Sequence, residues 1–271
     1  MTLHLVDRGR PTVSAGRKIS ASRSLTTLVW YPAVGGPWPV VVFAHGFEVG
    51  PQPYQHLLQT WAAAGYVVVA PEFPLTDAAV AGPDLDEGDL GQQPADVAVV
   101  LASVLDPSGP LAGHVDGTRV GVAGHSDGAE TALAVAADPP VALGAVVVLA
   151  GSPVSPGPAS GSPLRGPLGP CTPLRGPLGP GTPLLVAQGD ADPTNAFSDG
   201  RAVYDQATAP RFLLTLVGGG HLSPFTGGSR YEDVVDKTTL DFLDAYLART
   251  GPSSAISGDG AAGLARIATD S

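Results

Sequence analysis

Cysteine and charged residues are scarce in this 271-residue sequence. Cys171 is the single cysteine, which excludes an internal disulfide and a zinc site built from cysteines. Charged residues make up 14% of the chain and hydrophobic residues 44%. That balance predicts a globular protein with a well-buried core.

Positive charge and long apolar runs are also in short supply. The chain has 14 Lys and Arg against 25 Asp and Glu, a net charge of −11, and no basic stripe that would bind nucleic acid. No stretch approaches the roughly eighteen apolar residues of a membrane span. The N-terminal sequence MTLHLVDRGRPTVSAGRK lacks an apolar signal core. We therefore expect no nucleic-acid partner, no membrane span and a cytoplasmic location, or secretion if a leader has been removed.

Short apolar runs alternate with segments of helical periodicity. PVVVFAHG, YVVVAPEF, RVGVAGHS, PLLVAQGD and RFLLTLVGGG are typical of strands buried on both faces. Helical stretches such as YQHLLQTWAAAG lie between them. The alternation predicts an α/β protein with a mostly parallel central sheet and helices on both faces. We expect one domain over residues 1–251 and a small, polar C-terminal tail over residues 252–271.

A proline-rich insertion over residues 152–182 interrupts this pattern. It contains a tandem repeat, SPLRGPLGP from Ser162 and TPLRGPLGP from Thr172. Prolines at this density exclude a helix, so the segment cannot form a helical cap. A low-complexity surface loop is the favoured interpretation. The alternative is a flap over a pocket, with Arg165 and Arg175 contacting substrate.

The sequence RVGVAGHSDGAE contains the pattern G-x-S-x-G at residues 124–128. An apolar strand precedes it and a helix-forming run follows it, which is the context of a nucleophilic serine on a sharp strand-to-helix turn. Ser126 is the predicted nucleophile, and the alternative is an ordinary turn serine. The unusual residue is Asp127, a carboxylate directly after the nucleophile.

A nucleophilic serine needs a base and an acid that orients it. His221, in the glycine-rich segment VGGGHLSPF, is the one histidine that follows Ser126 in the chain and is the predicted base. Asp190 and Asp192 are candidates for the acid. We favour Asp192, because the strand is expected to end at Gly189 and a loop residue can then turn toward the histidine. Asp190 would fasten the loop.

Two backbone N–H groups are needed to stabilise an oxyanion. We expect them from Asp127 and from Phe47, which follows the strand in FAHGF. Phe47, His125 and Asp127 are also the candidate substrate contacts, although a structural role is the favoured interpretation of His125. The Asp127 side chain is expected to face the groove rim or to cap the following helix. Several aromatic residues could line the pocket or pack in the core: Phe47, Tyr54, Phe73 and Phe225.

The segment DLDEGD concentrates four acids, Asp84, Asp86, Glu87 and Asp89. Alternating oxygen ligands can bind calcium, but the segment lacks a full EF-hand loop and its flanking helices. A solvated loop is therefore the favoured interpretation, and we assign no metal ligand.

These motifs together resemble the α/β-hydrolase fold serine esterases, in particular the group around chlorophyllases, platelet-activating-factor acetylhydrolases and serine-bearing dienelactone-hydrolase-like proteins. The likeness rests on LTTLVWYP, PVVVFAHGF, WAAAGYVVVAPEFP, QQPADV and VGVAGHSDGAETA. It implies a triad at Ser126, Asp192 and His221, no cofactor, and ester hydrolysis through an acyl-enzyme.

Cutinase-like polyester hydrolases are similar in outline, but they typically carry G-W-S-M-G and a tryptophan after the next strand. This chain has His125 and Asp127 at the elbow and LAGSP where that tryptophan would fall. We expect a monomeric serine carboxylic-ester hydrolase acting on small or polymeric esters. Polyester cleavage, amide hydrolysis and acyl transfer remain alternatives on the same triad, and a non-catalytic binding protein is the alternative of another class.

Overall fold

A computed structural model of the chain describes residues 1–153 and 181–270. The tandem repeat, with Cys171, Arg165 and Arg175, lies outside the described residues, as does the choice between a surface loop and a flap. Among the helices of the described residues, none combines the length and the apolar character needed to cross a bilayer.

The described residues contain eleven strands and six α-helices, together with short 3-10 turns and a π-helical turn over Asp244–Ala248. The strands are β1 (Thr2–Asp7), β2 (Thr12–Ser14), β3 (Arg17–Ser20), β4 (Arg23–Trp30), β5 (Trp38–Ala44), β6 (Val67–Pro71), β7 (Val115–His125), β8 (Leu143–Leu149), β9 (Leu184–Gly189), β10 (Arg211–Leu216) and β11 (Ala265–Asp270). The helices are α1 (Gln55–Ala63), α2 (Ala78–Ala81), α3 (Gln93–Val104), α4 (Asp127–Ala137), α5 (Phe197–Gln206) and α6 (Glu232–Leu243).

Nine of these strands form one sheet, in the order β1-β4-β6-β5-β7-β8-β9-β10-β11. The pairs from β6 through β10 are parallel, and the antiparallel pairs lie toward the two edges. This is the mostly parallel sheet of an α/β-hydrolase fold, which confirms the predicted fold class. The carboxyl ends of β7, β9 and β10 lie along one edge of the sheet, and the loops that leave them carry the predicted triad.

Strand β5 shows why the apolar runs are continuous. Val40, Val42 and Ala44 pack into the core on one face, with residues of α3, α4 and α5, while Val41 and Phe43 pack into the core on the other, with residues of α1 and α6. Successive side chains of a strand point to opposite faces, so both sets must be apolar when helices cover both faces. Full burial of each Val or Phe side chain stabilises the folded state by about 1.5–3 kcal/mol relative to leaving it exposed.

The prediction of a C-terminal tail is wrong for most of residues 252–271. Strand β11 pairs antiparallel with β10 at the edge of the main sheet, with Ala265 opposite Leu216 and Asp270 opposite Arg211. The preceding turn buries Ile256 completely. The local sequence of small and polar residues is weakly apolar, but β10 offers a row of unpaired backbone donors and acceptors that favours the pairing of another strand.

Acids of the predicted solvated loop serve as structural partners. Asp84 pairs with Arg17, and the Asp86 carboxylate accepts the backbone N–H groups of Ala15 and Gly88. Asp89 is buried, with 3% of its surface exposed, whereas an acid of a solvated loop would be exposed. Among residues 1–153 and 181–270, no cluster of His, Cys, Asp or Glu is arranged to hold a metal ion.

Asp89 belongs to a buried ion cluster centred on Arg23, at the start of β4. The fully buried guanidinium donates to both carboxylate oxygens of Asp89, at 2.8 and 2.7 Å, and to both of Asp96 on α3, at 2.8 and 2.6 Å. Burial raises the pKa of Asp89 to about 6, against the opposing effect of Arg23. The cluster therefore ties β4 to α3 and to the turn before it.

Replacing Arg23 with methionine is expected to lower the free energy of unfolding by about 3–5 kcal/mol, because it removes the cation shared by two buried carboxylates, of which Asp96 also pairs with Arg10. Urea denaturation measures the change. The matched control is Arg17→Met, which removes an exposed pair with Asp84 and should cost less than about 1 kcal/mol. A loss for Arg23→Met as small as the loss for Arg17→Met would contradict the prediction.

Candidate active site

The predicted nucleophile lies at a strained turn between β7 and α4. Ser126 has φ 55° and ψ −122°, in the left-handed half of backbone space that non-glycine residues rarely occupy. A Cβ on Gly124 would lie 1.9 Å from the carbonyl oxygen of Gly128, and a Cβ on Gly128 would lie 2.1 Å from that of Ala44. Both glycines of G-x-S-x-G are thus required by close backbone contacts.

Ser126, His221 and Asp192 meet at the carboxyl edge of the sheet. The distance from His221 Nε2 to Ser126 Oγ is 2.8 Å, and that from His221 Nδ1 to Asp192 Oδ2 is also 2.8 Å. The carboxylate can only accept, so Nδ1–H donates to Asp192 and leaves the Nε2 lone pair facing the serine hydroxyl. The three predicted residues therefore form one continuous hydrogen-bonded chain.

The two candidate acids, both in the loop after β9, have different hydrogen-bond partners. The Asp192 side chain is fully buried, and its Oδ1 accepts backbone N–H groups from Thr194 at 2.8 Å and Asn195 at 3.0 Å. Its Oδ2 also accepts the Gln188 amide at 3.1 Å. Asp190 instead accepts the backbone N–H of Gly218 at 2.6 Å, which fastens the two loops together. The structure thus places Asp192 against His221 and Asp190 against the loop at Gly218.

Sequence reasoning missed the side chains that hold this acid loop. Gln188, fully buried, donates to Asp192 and to the carbonyl of Asn195. Asn195 donates at 2.7 Å to the carbonyl of Ala150, which has φ 46°. Gln188 interrupts the apolar run PLLVAQGD, and a buried polar residue in such a strand could have indicated a hydrogen-bonding role. No sequence pattern marks Asn195.

The loop after β5 runs directly beside the nucleophile. A Cβ on Gly46 would lie 3.3 Å from Ser126 Cβ. Among the described residues, the backbone N–H of Phe47 donates to no acceptor. The Asp127 N–H belongs to the first turn of α4, where N–H groups have no intrahelical acceptor. Both predicted oxyanion donors are thus near the serine, and Phe47 is partly exposed as a substrate contact would be.

The predicted positions of two elbow side chains need correction. Asp127 is 6% exposed, so its side chain does not face an exposed groove rim, and the residue at the N-cap position is Ser126. The carboxylate remains in the first turn of α4, where the helix dipole favours it. Helix α4 packs against β5, β7 and β8.

His125 is also placed differently from a substrate contact. It is 2% exposed, its Nδ1 lies 2.8 Å from Tyr54 Oη, and its Nε2 lies 2.9 Å from the His221 carbonyl oxygen. Both ring nitrogens are therefore engaged within the protein. Tyr54, Phe73 and Phe225 are likewise buried, at 2% exposure or less, so core packing describes them better than pocket lining.

The fold and the order serine, acid, histidine along the chain define an α/β-hydrolase. Within that class, the chain belongs to the chlorophyllase family, whose sequence profile matches residues 6–155. It is similar to Chlorophyllase-1 of Arabidopsis thaliana, with 33% identity over 105 residues. That match covers 39% of this chain and 31% of the Arabidopsis protein, so it spans about a third of that relative. The family match includes Phe47 and Ser126, whereas Asp192 and His221 lie beyond it.

Proposed function

We propose that the protein is a serine carboxylic-ester hydrolase that works through an acyl-enzyme. The observation that carries the proposal is the hydrogen-bonded chain from Asp192 through His221 to Ser126, on a strained elbow of the expected kind. Membership in the chlorophyllase family supports ester hydrolysis as the reaction class.

In the proposed reaction, His221 takes the proton of Ser126 as Oγ attacks the ester carbonyl. The N–H groups of Phe47 and Asp127 bind the oxyanion, and Asp192 stabilises the imidazolium that forms. His221 then protonates the leaving alcohol. Water attacks the acyl-enzyme by the same route and frees the serine.

A fluorophosphonate probe tests the nucleophile without knowledge of the natural substrate. We expect one probe per chain, attached to Ser126 as shown by mass spectrometry of the labelled peptide, and no labelling after heat denaturation. Native protein that stays unlabelled while a known serine hydrolase reacts would contradict the proposal and favour a non-catalytic binding protein.

A panel of esters would identify the substrate class. Esters of increasing acyl length, aromatic diacid esters, phospholipid acetyl esters and chlorophyll, which the name of the Arabidopsis relative suggests, should be compared by kcat/KM. Release of product from aromatic polyester would favour the polyester hydrolase alternative. Product esters formed with an added alcohol, in preference to free acid, would favour acyl transfer.

A further inference from the structure

Two buried rings connect the elements that carry the proposed reaction. The Gly46 N–H donates to Tyr54 Oη at 3.3 Å, and Tyr54 Oη lies 2.8 Å from His125 Nδ1. His125 Nε2 lies 2.9 Å from the carbonyl oxygen of His221. The connection thus runs from the loop after β5, through the residue before the nucleophile, to the backbone of the proposed base.

The chemistry of these groups leaves one direction for the hydrogen bonds. A carbonyl oxygen only accepts, so His125 Nε2 carries a proton and donates to His221. In the neutral ring Nδ1 is then an acceptor, and the Tyr54 hydroxyl donates to it. The tyrosine oxygen in turn accepts the Gly46 N–H. Every donor in this series of hydrogen bonds therefore has a matching acceptor.

The charge state of both rings agrees with this arrangement. Burial, together with the charge of His221, lowers the pKa of His125 to about 3, which keeps the ring neutral. Burial raises the pKa of Tyr54, so its hydroxyl keeps the proton that it donates. The His125 and His221 ring centroids are 4.7 Å apart, and a neutral neighbour does not oppose the positive charge that His221 acquires.

The backbone before His221 is held by hydrogen bonds from several directions, including Gly219 N–H to the Leu216 carbonyl at 3.0 Å. Three glycines, Gly218 to Gly220, precede His221, and glycine permits many backbone conformations. Asp190 holds the start of this segment through Gly218, and His125 holds His221 itself. At the other end of the chain of bonds, Gly46 immediately precedes Phe47, the proposed oxyanion donor.

We propose that His125 and Tyr54 are positioning residues that set the distance of the base His221, and of the oxyanion loop, from Ser126. The inference rests on the proposed function, because it assigns His221 and Phe47 their roles in ester hydrolysis. The polar atoms of the two rings bind each other and the backbone of Gly46 and His221, so both residues act on the reacting groups through the backbone.

Two substitutions of His125 separate positioning from simple packing. Glutamine extends an amide N–H to about the place of Nε2, whereas asparagine is one methylene shorter and cannot reach the His221 carbonyl. We expect His125→Asn to lower kcat about 10- to 100-fold, as an ångström-scale misplacement does, with KM within about twofold. His125→Gln should recover most of the loss, and Tyr54→Phe, which removes one hydroxyl, should lower kcat about tenfold.

Activity is expressed per active site, counted from the endpoint of fluorophosphonate labelling, so that unfolded protein does not contribute. His4→Asn, an exposed residue of edge strand β1, is the matched control and should keep wild-type kcat. Equal kcat per site in His125→Asn, Tyr54→Phe and wild type would overturn the positioning role, even if thermal stability falls. If His125→Asn does not fold, Tyr54→Phe decides alone. Retained turnover in Ser126→Ala would instead refute the role that the proposed function gives to Ser126.

Discussion

Replacing Ser126 with alanine should lower kcat for a short p-nitrophenyl ester on the order of 10⁶-fold, the scale seen when a triad serine is removed. The hydroxyl oxygen forms the bond to the acyl group, and it is the group that lies 2.8 Å from His221 Nε2, the atom that takes its proton. The change should leave KM and thermal stability nearly unchanged. Alanine leaves in place the close backbone contacts of Gly124 and Gly128 that shape the elbow.

Ser223→Ala is the matched control. Ser223 is an exposed serine two residues after His221, in the same loop, and its loss should leave kcat within about twofold of wild type. Wild-type turnover by Ser126→Ala in the steady-state assay would show that another residue is the nucleophile. A similar loss in both variants would show that the loop, and not the serine, limits the reaction.

Replacing Asp192 with asparagine should lower kcat about 10⁴-fold at neutral pH, the scale expected when the orienting acid becomes an amide. The carboxylate accepts His221 Nδ1–H, and three further donors, from Gln188, Thr194 and Asn195, hold it in place. An amide that presents its N–H₂ group to His221 favours the tautomer with the proton on Nε2. That nitrogen can then no longer accept the serine proton.

Asp190→Asn tests the same chemistry two residues away. Its amide oxygen can still accept the Gly218 N–H, so the loop should stay fastened and kcat should fall less than about fivefold. Steady-state rates at pH 7 for the two variants decide which acid serves His221. A larger loss for Asp190→Asn than for Asp192→Asn would reverse the assignment.

The nature of the central sheet and the order of the candidate residues could be predicted from local patterns. Continuous apolar runs such as PVVVFAHG indicate strands covered on both faces, and G-x-S-x-G between a strand and a helix indicates an elbow. His221 and Asp192 followed from chain order and from the ends of predicted strands. Parallel strands place their carboxyl ends at one edge, so residues far apart in sequence come together there.

Other features depended on partners that local sequence does not mark. The segment ARIATD of β11 is weakly apolar and becomes a strand because β10 presents an open edge. Arg23 gives no sign that it will be fully buried, since that requires Asp89 and Asp96, 66 and 73 residues away. The prediction of a solvated acidic loop failed for the same reason.

The sequence by itself determined the α/β-hydrolase sheet, the elbow at Ser126 and the candidate acid and base, because strand periodicity and the glycine requirement of a strained turn are local properties. The tertiary structure decided that Asp127 is buried, that His125 binds Tyr54 and the backbone of His221, and that Arg23 sits between two carboxylates. Burial and hydrogen-bond partners are set by how distant segments pack, and a polar residue carries no local mark of the partner that it will find.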